Sequence, residues 1–104
     1  MVKISVLYPN KAGTHFDIGY YKDKHMPMVR KYLGPLGLRG TAVDKGLAGG
    51  APGQAAPYHA MGHLLFDSLD AFQSAFGKHA KEIMADIPNY TNAEVIVQIN
   101  EVVE

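Results

Sequence analysis

The chain has 104 residues, no cysteine, and ten Lys plus Arg against ten Asp plus Glu. One domain over residues 1–104 is expected, burying roughly two-thirds of the surface its unfolded chain exposes. The composition excludes disulfides, thiolate nucleophiles, Fe–S clusters and Cys-ligated zinc, and the balanced charge offers no basic patch for nucleic acid or an acidic membrane. No run approaches the ~20 apolar residues of a membrane span and no basic start precedes an apolar leader, so a cytoplasmic location is expected.

Residues 2–9 alternate Val2, Ile4, Val6, Tyr8 against Lys3, Ser5, Leu7, which predicts a half-buried strand. Asn10 to Gly13 is turn chemistry. Residues 16–33 follow a helical period. With His25 placed at zero on the wheel, Ile18, Tyr21, Met28, Val29 and Tyr32 all fall within about 60° of it. Asp23, Lys24, Arg30 and Lys31 fall opposite. The imidazole therefore points toward the core among phenols, either as a core histidine satisfied by a hydroxyl or as an acid, base or donor at a pocket. Its ordinary pKa near ~6.5 suits the second role. Pro27 lies inside this helix, where it lacks an N–H and its ring meets the Asp23 carbonyl, so the helix should kink or loosen around His25.

Gly34-Pro35 ends the helix. Residues 38–47 read as a second strand. Residues 48–57 (AGGAPGQAAP) read as a hairpin loop without a G-x-G-x-x-G or Walker pattern. Residues 58–66 form a third strand. Ser68 caps a second helix running to about residue 87, with Asp70 in its first turn. Leu69, Phe72, Phe76, Ile83 and Ile87 line one face, with His79 among them. Pro88-Asn89 stops it, and Asn89 to Asn92 read as a capping and turn cluster. Residues 93–103 form the last strand, with Val95, Val97, Ile99 and Val103 on one side.

The order β-α-β-β-α-β, with right-handed crossovers, predicts an α+β, ferredoxin-like fold: two helices on one face of a four-stranded antiparallel sheet. The other sheet face stays bare. It should carry Leu7, Ile96 and Val102 alongside Glu94, Gln98 and Asn100. Apolar residues on an uncovered sheet call for a partner, and a homodimer packing sheet on sheet is the expectation.

Of the other histidines, His59 and His63 lie four apart on a strand, about 13 Å along it, too far to clasp one ion, and no H-E-x-x-H occurs. No protein-encoded metal site is expected. His79 and Asp86 share a helix side but stand ~10.5 Å apart, so they form no dyad. Ser5, Ser68 and Ser74 sit in a strand, a cap and an exposed helix position, and no Ser–His–Asp set is expected. What remains is His25 with Tyr21 and Tyr32 on its own helix face and Tyr8 and Tyr58 on strands. Phenols beside a neutral imidazole can polarise a carbonyl or phenol and move a proton.

The runs VLYPNKAG, YYKDKHMPMV, GLAGGAPG, AMGHLLFDSLDAFQSAF and HAKEIMADIPNYTNAEVIVQINEV together resemble the EthD family, named for ethyl tert-butyl ether degradation. The resemblance covers nearly the whole chain. It implies a dimeric α/β barrel with a pocket between sheet and helices in each subunit. It also implies a pocket role for a first-helix histidine, which falls on His25. Fold does not fix chemistry. One reading is a cofactor-free enzyme, an oxidoreductase, isomerase or lyase, acting on a small aromatic or lactone-like molecule. His25 would be acid or base, with Tyr21, Tyr8, His63 and Tyr32 lining the substrate site and no cofactor. The alternatives are a non-catalytic protein that binds a small hydrophobic molecule for a degradation pathway, and a haem-binding barrel with a histidine axial ligand.

Overall fold

The computed structural model describes all of residues 1–104. Four strands, β1 (Val2–Pro9), β2 (Gly40–Lys45), β3 (Tyr58–Phe66) and β4 (Ile96–Glu101), form one sheet in the order β2-β3-β1-β4. Every neighbouring pair is antiparallel. The expected ferredoxin-like α+β arrangement is what the chain adopts.

Alternation decides the two faces. Ile4 and Tyr8 of β1 and Ala60, Leu64 and Phe66 of β3 point to one side. There they join Val29 and Leu33 of α2 (Met26–Leu33) and Phe72, Ala75 and Ile83 of α3 (Leu69–Ala85) in one buried cluster. Leu33 and Phe66 are fully buried, and each contributes about 1.5–3 kcal/mol by leaving water. Ser68 caps α3 by accepting from the Ala71 N–H at 3.1 Å, as its position predicts.

The strands are shorter than their apolar patterns. The second spans Gly40–Lys45 and the last Ile96–Glu101. Glu94, Val102 and Val103 thus fall outside β4, and Val103 is solvent-exposed. Single backbone bonds continue past the strand ends: Arg39 and Gly46 donate to the Leu65 and His59 carbonyls of β3, and Val102 to that of Met1. The second helix ends at Ala85, and a 3-10 turn over Ile87–Asn89 follows, its N–H supply interrupted by Pro88.

Register places Val97 beside Val6 and Ile99 beside Ile4, on the helix side. Yet they are 54% and 42% exposed. β4 is an edge strand, and the helical layer stops short of it. On the opposite face Lys3, Ser5 and Leu7 meet Leu65, His63 and Met61 on one side and Asn100, Gln98 and Ile96 on the other. No element of the chain covers that face.

Candidate active site

The helix that carries His25 is broken into three pieces. A short α1 (Ile18–Tyr20) is capped by Asp17, whose carboxylate accepts from the Tyr20 N–H. A π-helical turn then spans Tyr21–His25, closed by the Met26 N–H on the Tyr21 carbonyl, before α2 begins. Pro27 in the first turn of α2 explains the widening. It offers no N–H to the Asp23 carbonyl, and the wider turn relieves the clash of its ring. The loosening expected at His25 takes this form.

His25 is 4% exposed. Its Nδ1 lies 2.8 Å from Asp86 Oδ2. Asp86, just past α3, also accepts from the Tyr20 hydroxyl at 2.7 Å and from Asn89 Nδ2 at 3.0 Å. Partial burial pushes the Asp86 carboxyl up, but bonds from Asn89, Tyr20 and His25 outweigh it and hold the group below the usual carboxylate range. His25 is held below its ordinary value, because burial outweighs the raising effect of Asp86. At neutral pH the pair is therefore a carboxylate and a neutral imidazole. A carboxylate only accepts, so the hydrogen-bond network assigns the proton to Nδ1. Nε2 is left with a lone pair.

Tyr21 and Tyr90 flank the imidazole. Tyr21 stacks on it at 5.4 Å and 14° between planes, and Tyr90 lies at 4.7 Å and 53°. Tyr8 joins them through a 2.8 Å bond between its hydroxyl and that of Tyr90. Burial drives all three phenols well above their ordinary pKa, so they stay protonated. The Tyr21 hydroxyl rests against Gly62 of β3, where a Cβ would collide with it.

These groups line a cavity of about 330 Å³ between the sheet and α3. Fifteen of its 17 lining residues are hydrophobic, and none is Lys, Arg, Asp or Glu. Met84 and Val97 line it and are also among the exposed apolar residues, which puts its mouth between α3 and the β4 edge. A haem gains little from this lining, which has one histidine but no cation for the propionates.

Of the sequence-predicted site residues, His25, Tyr21 and Tyr8 meet in the cavity. Tyr32 does not. It stacks on His79 at 4.6 Å, joining the two helices. His63 lies on the bare sheet face, away from the cavity, with Nδ1 3.1 Å from Ser5 Oγ and Nε2 2.9 Å from Asp44 Oδ2. Asn100 Nδ2 bonds to Ser5 Oγ at 3.1 Å, and Gln98 Nε2 to Asn100 Oδ1 at 2.6 Å. A polar row thus crosses all four strands. It contains a serine, a histidine and an aspartate in sequence of bonding, which the spacing did not predict. Ser5 and His63 sit on the two central strands, whose N–H groups serve the ladders on both sides. No free pair remains to hold an oxyanion, so the row is not a nucleophilic triad. His59 is separate again, with Nε2 2.8 Å from Thr14 Oγ1.

Asp86 and Tyr90 are the residues that sequence reasoning missed. Helical spacing compares Asp86 only with His79 on its own helix, and the polar run Asn89–Asn92 makes Tyr90 look like a turn residue.

A family model described as the EthD domain matches residues 15–94. The chain belongs to the EthD family. The matched span includes His25, Asp86, Tyr21 and Tyr90, and leaves Tyr8 outside. An EthD-like protein from Ralstonia eutropha JMP134 has 43% identity and a TM-score of 0.93, over 99% of this chain and 92% of that one. An EthD-family protein from Bacillus halodurans C-125 has 24% identity and a TM-score of 0.72, over 98% of both chains. A dimeric ferredoxin-like protein from an uncultured marine organism shares the fold at 12% identity and a TM-score of 0.64, over 100% of this chain and 96% of that one. No curated protein matches the chain in sequence.

Proposed function

We propose that this EthD-family protein is a cofactor-free enzyme that moves a proton on a small aromatic or lactone-like substrate, with His25 as the base. The observation that carries this reading is the His25–Asp86 pair at 2.8 Å, which occupies Nδ1 and leaves Nε2 free on a side chain that lines an apolar cavity. In such a site Nε2 takes a proton from an acidic O–H or C–H of the substrate. Asp86 stabilises the imidazolium that forms. The Tyr8–Tyr90 pair uses one hydroxyl proton internally and has a second to give to a developing oxyanion. The proton then returns from His25 to the substrate at another atom, or is exchanged with solvent. A positioned base of this kind contributes about 10²–10⁴-fold.

The test is isotope exchange. The protein is incubated in D₂O with hydroxyaryl compounds, aryl ketones and lactones, and deuterium uptake at carbon is read by mass spectrometry. Exchange is expected with the native chain and not with folded His25→Gln. Equal exchange in both sinks His25 as the base. Binding without exchange across the panel favours the second reading, a non-catalytic binding protein, which the nearly unbroken apolar lining also suits.

The assembly we propose is a homodimer packed through the bare sheet face. Ile96 is 38% exposed there with no cover from its own chain. The polar row of Asp44, His63, Ser5, Asn100 and Gln98 gives that face satisfied hydrogen bonds rather than loose polar groups.

A further inference from the structure

We infer that the cavity takes an uncharged hydroxyaromatic molecule, bound with its O–H donated to His25 Nε2, and rejects the corresponding carboxylate. The inference rests on the acid–base reading of the same site and narrows its substrate class from aromatic or lactone-like to one chemistry. Four observations converge on it.

The first is the tautomer. Asp86 accepts from Tyr20, Asn89 and His25, so the imidazole proton is committed to Nδ1. The polar point of His25 in the cavity is an acceptor. A ligand oxygen with only lone pairs, such as an ether, an ester or a lactone ring, leaves it unmatched. A hydroxyl matches it.

The second is charge. No Lys or Arg lines the cavity, and a carboxylate, that of Asp86, stands 2.8 Å behind the imidazole. A bound anion would meet a lone pair, a second negative charge and mostly apolar walls, with one phenol O–H of the Tyr8–Tyr90 pair as a neutral donor and no cation to offset its charge. Burying an unpaired carboxylate in such surroundings is strongly unfavourable.

The third is the aromatic frame. Tyr21, Tyr90 and Tyr8 meet edge to face or tilted, with centroids 5.0–5.8 Å apart. They offer ring faces and edges to a flat guest. The fourth is size. At the ~30 Å³ share of one water, about 330 Å³ holds ~11 water-sized units, which suits a guest of two fused rings.

The experiment uses three matched probes at pH 7: 2-naphthol, its methyl ether and 2-naphthoate. Affinities are measured by calorimetry, and the His25 Nε2 resonance is followed by ¹⁵N NMR on the unmodified protein. The naphthol is expected to bind at least tenfold more tightly than either analogue and to shift Nε2 as a hydrogen-bond acceptor. In His25→Phe the preference of naphthol over the ether should collapse to within about twofold. If that variant does not fold, the Nε2 shift in the native chain decides. Equal or tighter binding of naphthoate, an ether that matches the naphthol, or an unmoved Nε2 overturns the inference. Naphthol preference without isotope exchange would leave the ligand class standing and remove the catalytic reading. Exchange confined to lactones or ketones would do the reverse.

Discussion

His25 and Asp86 stand 61 residues apart in the chain and 2.8 Å apart in space. One comes from a π-helical turn and the other from the residue after α3, so the pair ties the two crossover units together at the cavity. Asp86→Asn tests what the carboxylate does. An amide can donate to Nδ1 as well as accept, which frees the imidazole to carry its proton on Nε2. The loss of a raising influence also moves the His25 pKa further down. The expected result is a folded protein whose exchange activity drops by about 10²-fold or more. Long-range ¹H–¹⁵N spectra should report Nε2–H. A variant with native activity and Nδ1–H would remove Asp86 from the mechanism.

The same pair sets the pH response. As a base, His25 works when neutral, so activity should rise from acid through its titration, which lies below 6.5, and be flat at neutral pH. Stability follows with the same sign. His25 and Asp86 both have lowered values in the folded state, so the unfolded chain binds more protons as pH falls. Stability should decline from about pH 6.5 through the His25 titration, and again below 3.8, the ordinary carboxyl value, through that of Asp86. Urea midpoints at pH 7, 5.5, 4 and 3 check this. A midpoint constant from 7 to 5.5 would contradict the burial of a neutral His25.

The fold was legible because each element carried a clean period. Alternation in β1 and β3 and the apolar stripe of residues 16–33 need no tertiary knowledge. Half of the site was legible for the same reason: His25 and Tyr21 face the core on the period of their own helix. Asp86 and Tyr90 were not, because their roles depend on how the end of α3 crosses the π-turn, and helical spacing compares only residues on one element. Tyr32 shows the converse limit. It shares the His25 face, but it stands seven residues and about 10.5 Å further along the helix axis, where it meets His79 instead. His63 was uncertain for another reason. Strand period assigns it to a face, but only the ladder with β1 says which face.

Gly62 is where backbone and site touch most closely. A Cβ there would run into the Tyr21 hydroxyl. Gly62→Ala is expected to cost about 1–3 kcal/mol through overpacking and to push Tyr21 off His25. Removing the hydroxyl should relieve much of this, although the ring carbon beneath it still lies 3.2 Å from that Cβ. Tyr21→Phe combined with Gly62→Ala should therefore be more stable than Gly62→Ala alone. Thermal unfolding of the three variants gives the coupling. Strictly additive effects would mean that the two groups do not collide.

His63 separates the two faces of the sheet. It is hydrogen-bonded at both nitrogens within the polar row, and no atom of it lines the cavity. If a second copy covers this face, His63→Ala leaves Ser5 without one of its bonds inside the interface, while Asp44 loses its only side-chain donor. A buried polar group left unsatisfied costs about 1–3 kcal/mol. Dimer dissociation constants from sedimentation equilibrium should then rise at least tenfold, with ligand affinity at His25 unchanged. A native chain that is monomeric at every concentration removes the sheet-to-sheet dimer. A dimer that His63→Ala does not weaken keeps the dimer and moves the polar row out of its interface. Loss of ligand binding in this variant would mean that the cavity depends on the second copy.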